Sequence, residues 1–432
     1  MAHPDEGLLP PAASWRARTV EWFEDTRLAV MVDAVRQRPA TLGTSIVVGV
    51  TIAIYLFTSS RDRQNLDYFV RLADAFLHGR IYLTEAPPWL NELIPKDGVW
   101  YVAYPPMPAV LLVPFVAVFG PDFPPQVASC IFGGVSVGLA WLVLGRFALS
   151  DRVRFGLTAV FGFGTVLWYV AEVGSVWYFS HVVAVMFSMA ALLLLVERRW
   201  PLLVGLFVGC AAISRLPVGL TAPFFFAFIV GLGWPPRLPQ RGRRTAAIQG
   251  AVAFLVGIAI PTAGYLLYNL ARWGTVIDQS YVLIPGVLQD PIYVKHGILA
   301  LDYIPRHLYA IFLRSWNYVD DPPFIQPSWW GLSLFLTTPL FLWLAKARLG
   351  DPRVAWAAIG TALALIPIVT HGNVGLTQFG YRFSLDVQPL LFVILATVFE
   401  RGMGRWAWIA SGASVAICAY GIWAIGIGFV EF

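Results

Sequence analysis

Stretches of about 20 mostly apolar residues recur along this chain from near Leu42 almost to its end, each long enough to cross a bilayer as a helix. Hydrophobic residues fill 58% of 432 positions and charged ones only 13%, with a mean hydropathy of +0.68. A soluble domain is nearer half apolar and a quarter charged. The chain therefore reads as an all-α integral membrane protein with no room for a large soluble domain. Cys130, Cys210 and Cys418 each lie inside an apolar run without CxxC spacing, so they read as small buried hydrophobes. Residues 1–41 are polar and mixed in charge, which fits a cytoplasmic tail, with Ser14–Val35 as an amphipathic surface helix, and not a cleavable signal.

The hydropathy pattern predicts eleven spans, near 42–59, 126–146, 155–171, 177–196, 200–213, 218–234, 246–270, 329–345, 354–370, 383–399 and 406–428. Sidedness hinges on Pro105–Gly120, an apolar but short segment carrying Pro105, Pro106, Pro108 and Pro114. If it does not cross, fourteen Lys and Arg fall in or beside the short loops 147–154, 197–199, 235–245, 346–353 and 400–405, and five more in the N-terminal tail, together nineteen of 30. Cytoplasmic loops collect such residues, so Pro105–Gly120 is expected to be re-entrant or surface-lying. The N-terminus is then inside, the C-terminus outside, and residues 42–432 form one polytopic unit. The net charge of +5 follows from this topology and does not argue for a nucleic-acid partner.

The outward side then receives two long loops, 60–125 and 271–328, the first with short interfacial helices. The first is unusual for a membrane surface because it carries Asp62, Asp67 and Asp74 among basic and aromatic residues. Its text reads LDYFVRLADAFLHGRIYL, then YPPMP. Further on come FGTVLWYVAEVGSVWYFSH, GLFVGCAAISRLPVGL, YNLARWGTVIDQSY and QFGYRFSLDVQPLL.

In their order and sidedness these pieces resemble the GT-C superfamily of polytopic glycosyltransferases, near the protein O-mannosyltransferase and aminoarabinose transferase branch. The resemblance spans most of the chain. It implies a plasma (inner) membrane enzyme that takes a sugar from a polyprenyl-phosphate carrier on the outer side. The acceptor is a lipid-linked glycan, a polysaccharide or a protein.

Such a transfer needs a carboxylate to accept the acceptor's proton. Asp67 and Asp62 are the candidates, and the alternative is that one or both simply pair with Arg61, Arg63 or Arg71. For the donor phosphate the candidates are Arg215, Arg382, Arg272 and Arg314, since guanidinium forks bind phosphate oxygens bidentately. The competing role is snorkelling to lipid headgroups. His181 and Glu172 bracket a very short outer turn, where an intramembrane ionisable group is either functional or a helix–helix bond. Tyr104, Tyr281, Gln378 and Tyr381 complete the expected substrate contacts. Trp329–Trp330 fit an interfacial aromatic belt. Asp320–Asp321 lack partner ligands at recognisable spacing, so no metal or other cofactor is expected. The rival from another class is a secondary transporter or lipid flippase, which calls for inverted repeats and broken helices at mid-membrane. A non-catalytic scaffold is a third reading.

Overall fold

The computed structural model describes residues 39–59, 66–198, 200–236 and 244–430. Asp62 and almost all of the N-terminal tail, with the helix expected over Ser14–Val35, lie outside the described residues.

The first span is α1 (Pro39–Thr58). After it, α2 (Tyr68–Leu77) is amphipathic: Tyr68, Phe69, Leu72 and Ala73 are buried on one side while Arg71 and Asp74 stay partly exposed. Burying each of the three large side chains contributes about 2 kcal/mol. A hairpin follows, β1 (Leu93–Lys96) paired antiparallel with β2 (Val99–Val102), in register Leu93 to Val102. Its two-residue turn is Asp97–Gly98, both at positive φ (52° and 78°), the conformation that matches the twist of the strands.

The proline-rich segment becomes one helix, α3 (Met107–Phe119), with Pro108 in its first turn and Gly120 closing it at φ 84°. It packs against α2, and both rest on the start of the helix Val176–Val196 through Phe179 and Val183.

The body of the bundle runs through α4 (Pro125–Leu144), α5 (Asp151–Phe163), α6 (Leu167–Val173), α7 (Val176–Val196), α8 (Pro201–Ala212), a 3-10 turn over Leu216–Thr221, α9 (Ala222–Val230) and α10 (Arg244–Trp273). Short elements α11 (Ser280–Leu283) and α12 (Ile304–Phe312) and a two-residue strand pair, β3 (Asn317–Tyr318) with β4 (Ile325–Gln326), make up the second long loop. Then come α13 (Leu334–Thr337), a 3-10 stretch Pro339–Lys346, α14 (Pro352–Val369), a 3-10 turn Arg382–Asp386, α15 (Gln388–Phe399) and α16 (Arg405–Gly426).

Among the described residues six helices are long and apolar enough to cross a membrane: α1, α4, α7, α10, α14 and α16. The pair α5 and α6 makes a seventh if its 44° bend lies within one span. Four shorter apolar segments remain: α3, α8, Leu216–Val230 and α15. The protein is a multi-pass membrane protein. The span expected over 329–345 is not one helix: α13 stops at Thr338, held at φ −130° and ψ 77° ahead of Pro339, and the chain continues as 3-10. Proline removes a donor and pushes the preceding residue out of the α region.

The tightest crossing joins α8 to α10. A Cβ on Gly205 would lie 2.0 Å from the Phe254 carbonyl oxygen, and one on Gly257 2.1 Å from that of Leu202. Small residues at this spacing let two membrane helices meet backbone to backbone.

Candidate active site

Functional side chains gather where the first long loop, the start of α7, the end of α8 and the 371–386 segment meet. Deepest is a buried trio. His181, one turn into α7, brings Nδ1 to 2.8 Å from Oδ1 of Asp386. Arg215, just past α8, donates from Nη2 to Asp386 Oδ2 at 2.9 Å and from Nε to both oxygens at 3.2 and 3.3 Å. Asp386 is fully buried, while Arg215 keeps 24% of its side chain exposed. The second nitrogen of His181, Nε2, is buried without a hydrogen-bond partner among the described residues.

Beside the trio stands Arg382, only 6% exposed. Its Nη1 donates to the Leu376 carbonyl at 2.7 Å, and its guanidinium lies 5.3 Å over Tyr178 and 5.2 Å over Phe383. Its Nε is buried and unpartnered, and among the described residues no carboxylate lies within ion-pairing distance of it. A buried cation without a counter-ion is costly. An anion at this position would offset that cost.

That charge is felt across the site by Glu92, the last residue before β1. Glu92 accepts from Trp177 Nε1 at 3.2 Å, and its backbone N–H donates to Tyr68 Oη at 2.8 Å. Burial pushes its carboxyl up to about 7, against the downward pull of the Trp177 bond and of Arg382. Trp177 Nε1 also donates to Tyr104 Oη at 2.6 Å, so Tyr104 lies next to Glu92.

A ring of aromatic and imidazole groups closes the other side. Tyr281 Oη is 3.1 Å from Tyr293 Oη, and its ring meets His371 edge-on at 5.3 Å. Burial raises the Tyr281 hydroxyl and lowers His371 to about 4. Tyr381 Oη lies 2.7 Å from His307 Nδ1, and His307 Nε2 lies 2.7 Å from the His371 carbonyl. A carbonyl only accepts, so Nε2 carries the proton and Nδ1 takes the Tyr381 hydroxyl. Burial lowers His307 to about 4, which favours its neutral form near pH 7.

The sequence candidates divide accordingly. Arg215, Arg382, His181, Tyr104, Tyr281 and Tyr381 converge. Gln378 is fully buried and shapes the loop, donating from Nε2 to the carbonyls of Trp330 (3.1 Å) and Val374 (3.0 Å). Asp67 sits at the rim: it accepts from Arg71 Nε at 2.8 Å and Trp89 Nε1 at 3.1 Å, and 15% of it is exposed. Glu172 is buried in α6 on the side of Tyr55 and Cys130. Arg272 is fully buried and ties α10 to the hairpin, donating to the Val102 carbonyl at 2.8 Å and to Asn269 Oδ1 at 2.7 Å. Arg314 faces a separate cleft. Asp386, Glu92, Trp177, Tyr293 and His371 were not singled out by sequence reading. Asp386 and Trp177 stood inside quoted motifs, and an acid at the head of an apolar run was the available signal. Among the described residues no three His, Cys, Asp or Glu side chains converge as metal ligands.

No family model matches the sequence, and no curated protein matches it. Among solved structures the chain is similar to ArnT from Cupriavidus metallidurans. It matches the form bound to undecaprenyl phosphate at TM-score 0.51 and 13% identity, over 89% of this chain and 64% of that one. The apo form matches at TM-score 0.52 and 14% identity, over 90% and 65%. The chain thus spans just under two thirds of the ArnT length. At this identity the likeness establishes the fold alone, an ArnT-like helical membrane architecture.

Proposed function

We propose that the protein is a membrane glycosyltransferase that moves a sugar from a polyprenyl-phosphate donor to an acceptor hydroxyl on the outer face of the plasma membrane. One observation carries the reading. A buried, carboxylate-free guanidinium (Arg382) acts on a carboxyl whose pKa is held at about 7 (Glu92), within one cluster of loop and helix-end residues. A cation of that kind suits a phosphate that leaves, and a carboxyl of that kind suits a base working near neutral pH.

In this mechanism Glu92 takes the acceptor's proton as its oxygen attacks the anomeric carbon. The bond from that carbon to the phosphate oxygen breaks. Its electron pair leaves with the polyprenyl phosphate, whose charge Arg382 receives. Arg215, itself held by Asp386, presents its exposed edge to the same phosphate. Attack from the face opposite the phosphate inverts the anomeric centre. Tyr281 and Tyr104 line the sugar. Asp67, clasped by Arg71 and Trp89, is the less suited base, and Asp62 remains a candidate on sequence grounds alone.

Undecaprenyl phosphate is what one ArnT structure holds, which favours a polyprenyl carrier for a chain of this fold. The outward placement follows from the distribution of Lys and Arg, with the N-terminus inside and the C-terminus outside. A transporter or flippase is less favoured, because the residues at the α5–α6 bend, Gly164–Val166, include no ionisable group.

The test uses membranes supplied with radiolabelled polyprenyl-phosphate sugars. Glu92→Gln is expected to lower transfer by about 100-fold or more, the range of a lost general base. Full turnover by Glu92→Gln, Asp67→Asn and Asp62→Asn, singly and combined, refutes the mechanism.

A further inference from the structure

Apart from the Arg382 cluster, the second long loop and the residues around Trp330 and Asn373 line an open cleft of about 480 Å³. Sites for small ligands run from roughly 300 to 1,000 Å³. Its walls include the guanidinium groups of Arg306 and Arg314, the rings of Tyr309, Trp316 and Trp330, and the amide of Asn373. Arg306 Nη1 donates to the Gly372 carbonyl at 2.6 Å, and Arg314 Nη1 to the Trp330 carbonyl at 2.7 Å. These bonds hold one nitrogen of each guanidinium, and Arg314 also lies over the rings of Tyr309 at 5.6 Å and Trp330 at 5.8 Å. Neither guanidinium has a carboxylate at ion-pairing distance among the described residues, although carboxylates pair with Arg71, Arg146, Arg215 and Arg353 elsewhere in the molecule.

Two unpaired, fixed cations beside three aromatic faces suit a ligand that is both anionic and flat-sided. A pyranose offers its C–H face to indole or phenol rings, while a carboxylate or phosphate on it accepts two N–H bonds from each fork. We propose that this cleft binds an acidic saccharide. The binding claim stands apart from the transferase reading. Only the corollary that this saccharide is the acceptor rests on that reading, and it is supported by position: Asn373 and Val374 of the cleft belong to the loop that continues to Arg382.

The experiment is a tryptophan-fluorescence titration of the full chain in nanodiscs of neutral lipid, with no sugar donor present. The probes are trigalacturonate, its trimethyl ester, glucose 1-phosphate and glucose. The expected result is saturable binding of one or both anionic probes, at least tenfold tighter than of their neutral counterparts. Arg306→Gln and Arg314→Gln each weaken it about tenfold, while Arg314→Lys, which keeps the charge without the fork, recovers only part of that loss. Which anion binds separates uronates from sugar phosphates. Equal titrations by charged and neutral probes overturn the proposal. So does unchanged binding in the correctly folded double glutamine variant. A signal produced by phosphatidylglycerol in the nanodisc and by no saccharide overturns it too, assigning the cleft to a lipid headgroup. Transfer assays with Glu92→Gln run alongside: saccharide binding without donor-dependent transfer in the wild type sinks the transferase reading and leaves the binding site standing.

Discussion

Asp386 and His181 are separated by 205 positions in sequence and by 2.8 Å in space. Neither alone accounts for the other's burial; together with Arg215 they form a hydrogen-bonded, charge-compensated unit that joins α7, the end of α8 and the turn before α15.

Asp386→Asn removes the counter-charge and leaves Arg215 partly buried without its partner. Breaking one side of such a pair is costly, so a loss of about 3 kcal/mol is expected. Thermal unfolding in detergent reads it as a lowered midpoint. His181→Gln, which retains a donor toward Asp386, loses less. If the two variants unfold together with the wild type, the trio is not a stabilising unit.

Arg382→Gln has opposite effects on stability and function. Removing a buried cation without a counter-ion leaves thermal stability equal or higher. Donor use falls, with the KM for the polyprenyl-phosphate sugar raised about 10- to 100-fold, as for one lost charged contact to phosphate. Arg382→Lys restores the charge without the fork and recovers only part. A variant that is less stable and fully active contradicts this account.

Activity is expected to rise with pH through about 7, because burial holds the Glu92 carboxyl there and only its deprotonated form accepts a proton. The stability consequence has the opposite sign. Between 4.5 and about 7 the folded state keeps a proton that the unfolded chain has released, so this group's contribution to stability declines as pH rises through that window. Glu92→Gln abolishes that decline. A pH–rate profile flat from 6 to 8 in the wild type excludes Glu92 as base.

His307 and His371 act the other way. Burial lowers both from 6.5 to about 4, so between those values the unfolded chain binds protons that the folded state refuses. Stability is full above about 6.5 and falls as pH drops toward 4. Unfolding midpoints at pH 7.5 and 5 are expected to differ less in His307→Gln with His371→Gln than in the wild type. Tyr381→Phe, which removes the hydroxyl bonded to His307, costs about 1 kcal/mol at neutral pH.

Gly205→Leu forces side-chain atoms against the Phe254 carbonyl and separates α8 from α10, an overpacking cost of about 1–3 kcal/mol or more. Gly264→Ala, at a site with open space around it, is the control. Equal unfolding midpoints for the two remove the backbone-to-backbone crossing from the account.

Much of the membrane architecture was legible in hydropathy. Each of the six long helices coincides with an expected span, and the arginines at the two apolar boundaries, Arg215 and Arg382, do converge. Hydropathy registers average solvation, however, and not partners. Glu92 and Asp386 each stand as a lone acid just ahead of a short apolar stretch. What makes them chemical is Trp177 in one case and Arg215 with His181 in the other, contacts spanning 85 to 205 positions. The hairpin was missed although Asp97–Gly98 is a strong turn signal, because its four-residue strands are too short to show alternation. The break at Thr338–Pro339 was masked by the apolarity of both flanks.

The glycine crossing of α8 and α10 also sets a height. The two helices run parallel there, Gly205 against Phe254 and Gly209 against Ile258 and Pro261, so the end of α8 at Ala212 falls near Gly264. From that level α10 climbs on for about nine residues, about 14 Å at 1.5 Å each. At its tip Lys96 reaches the Arg272 carbonyl and Arg272 reaches Val102. The helix is a mast and the hairpin its canopy. The height at which the hairpin stands beyond the end of α8 is built into the length of one helix.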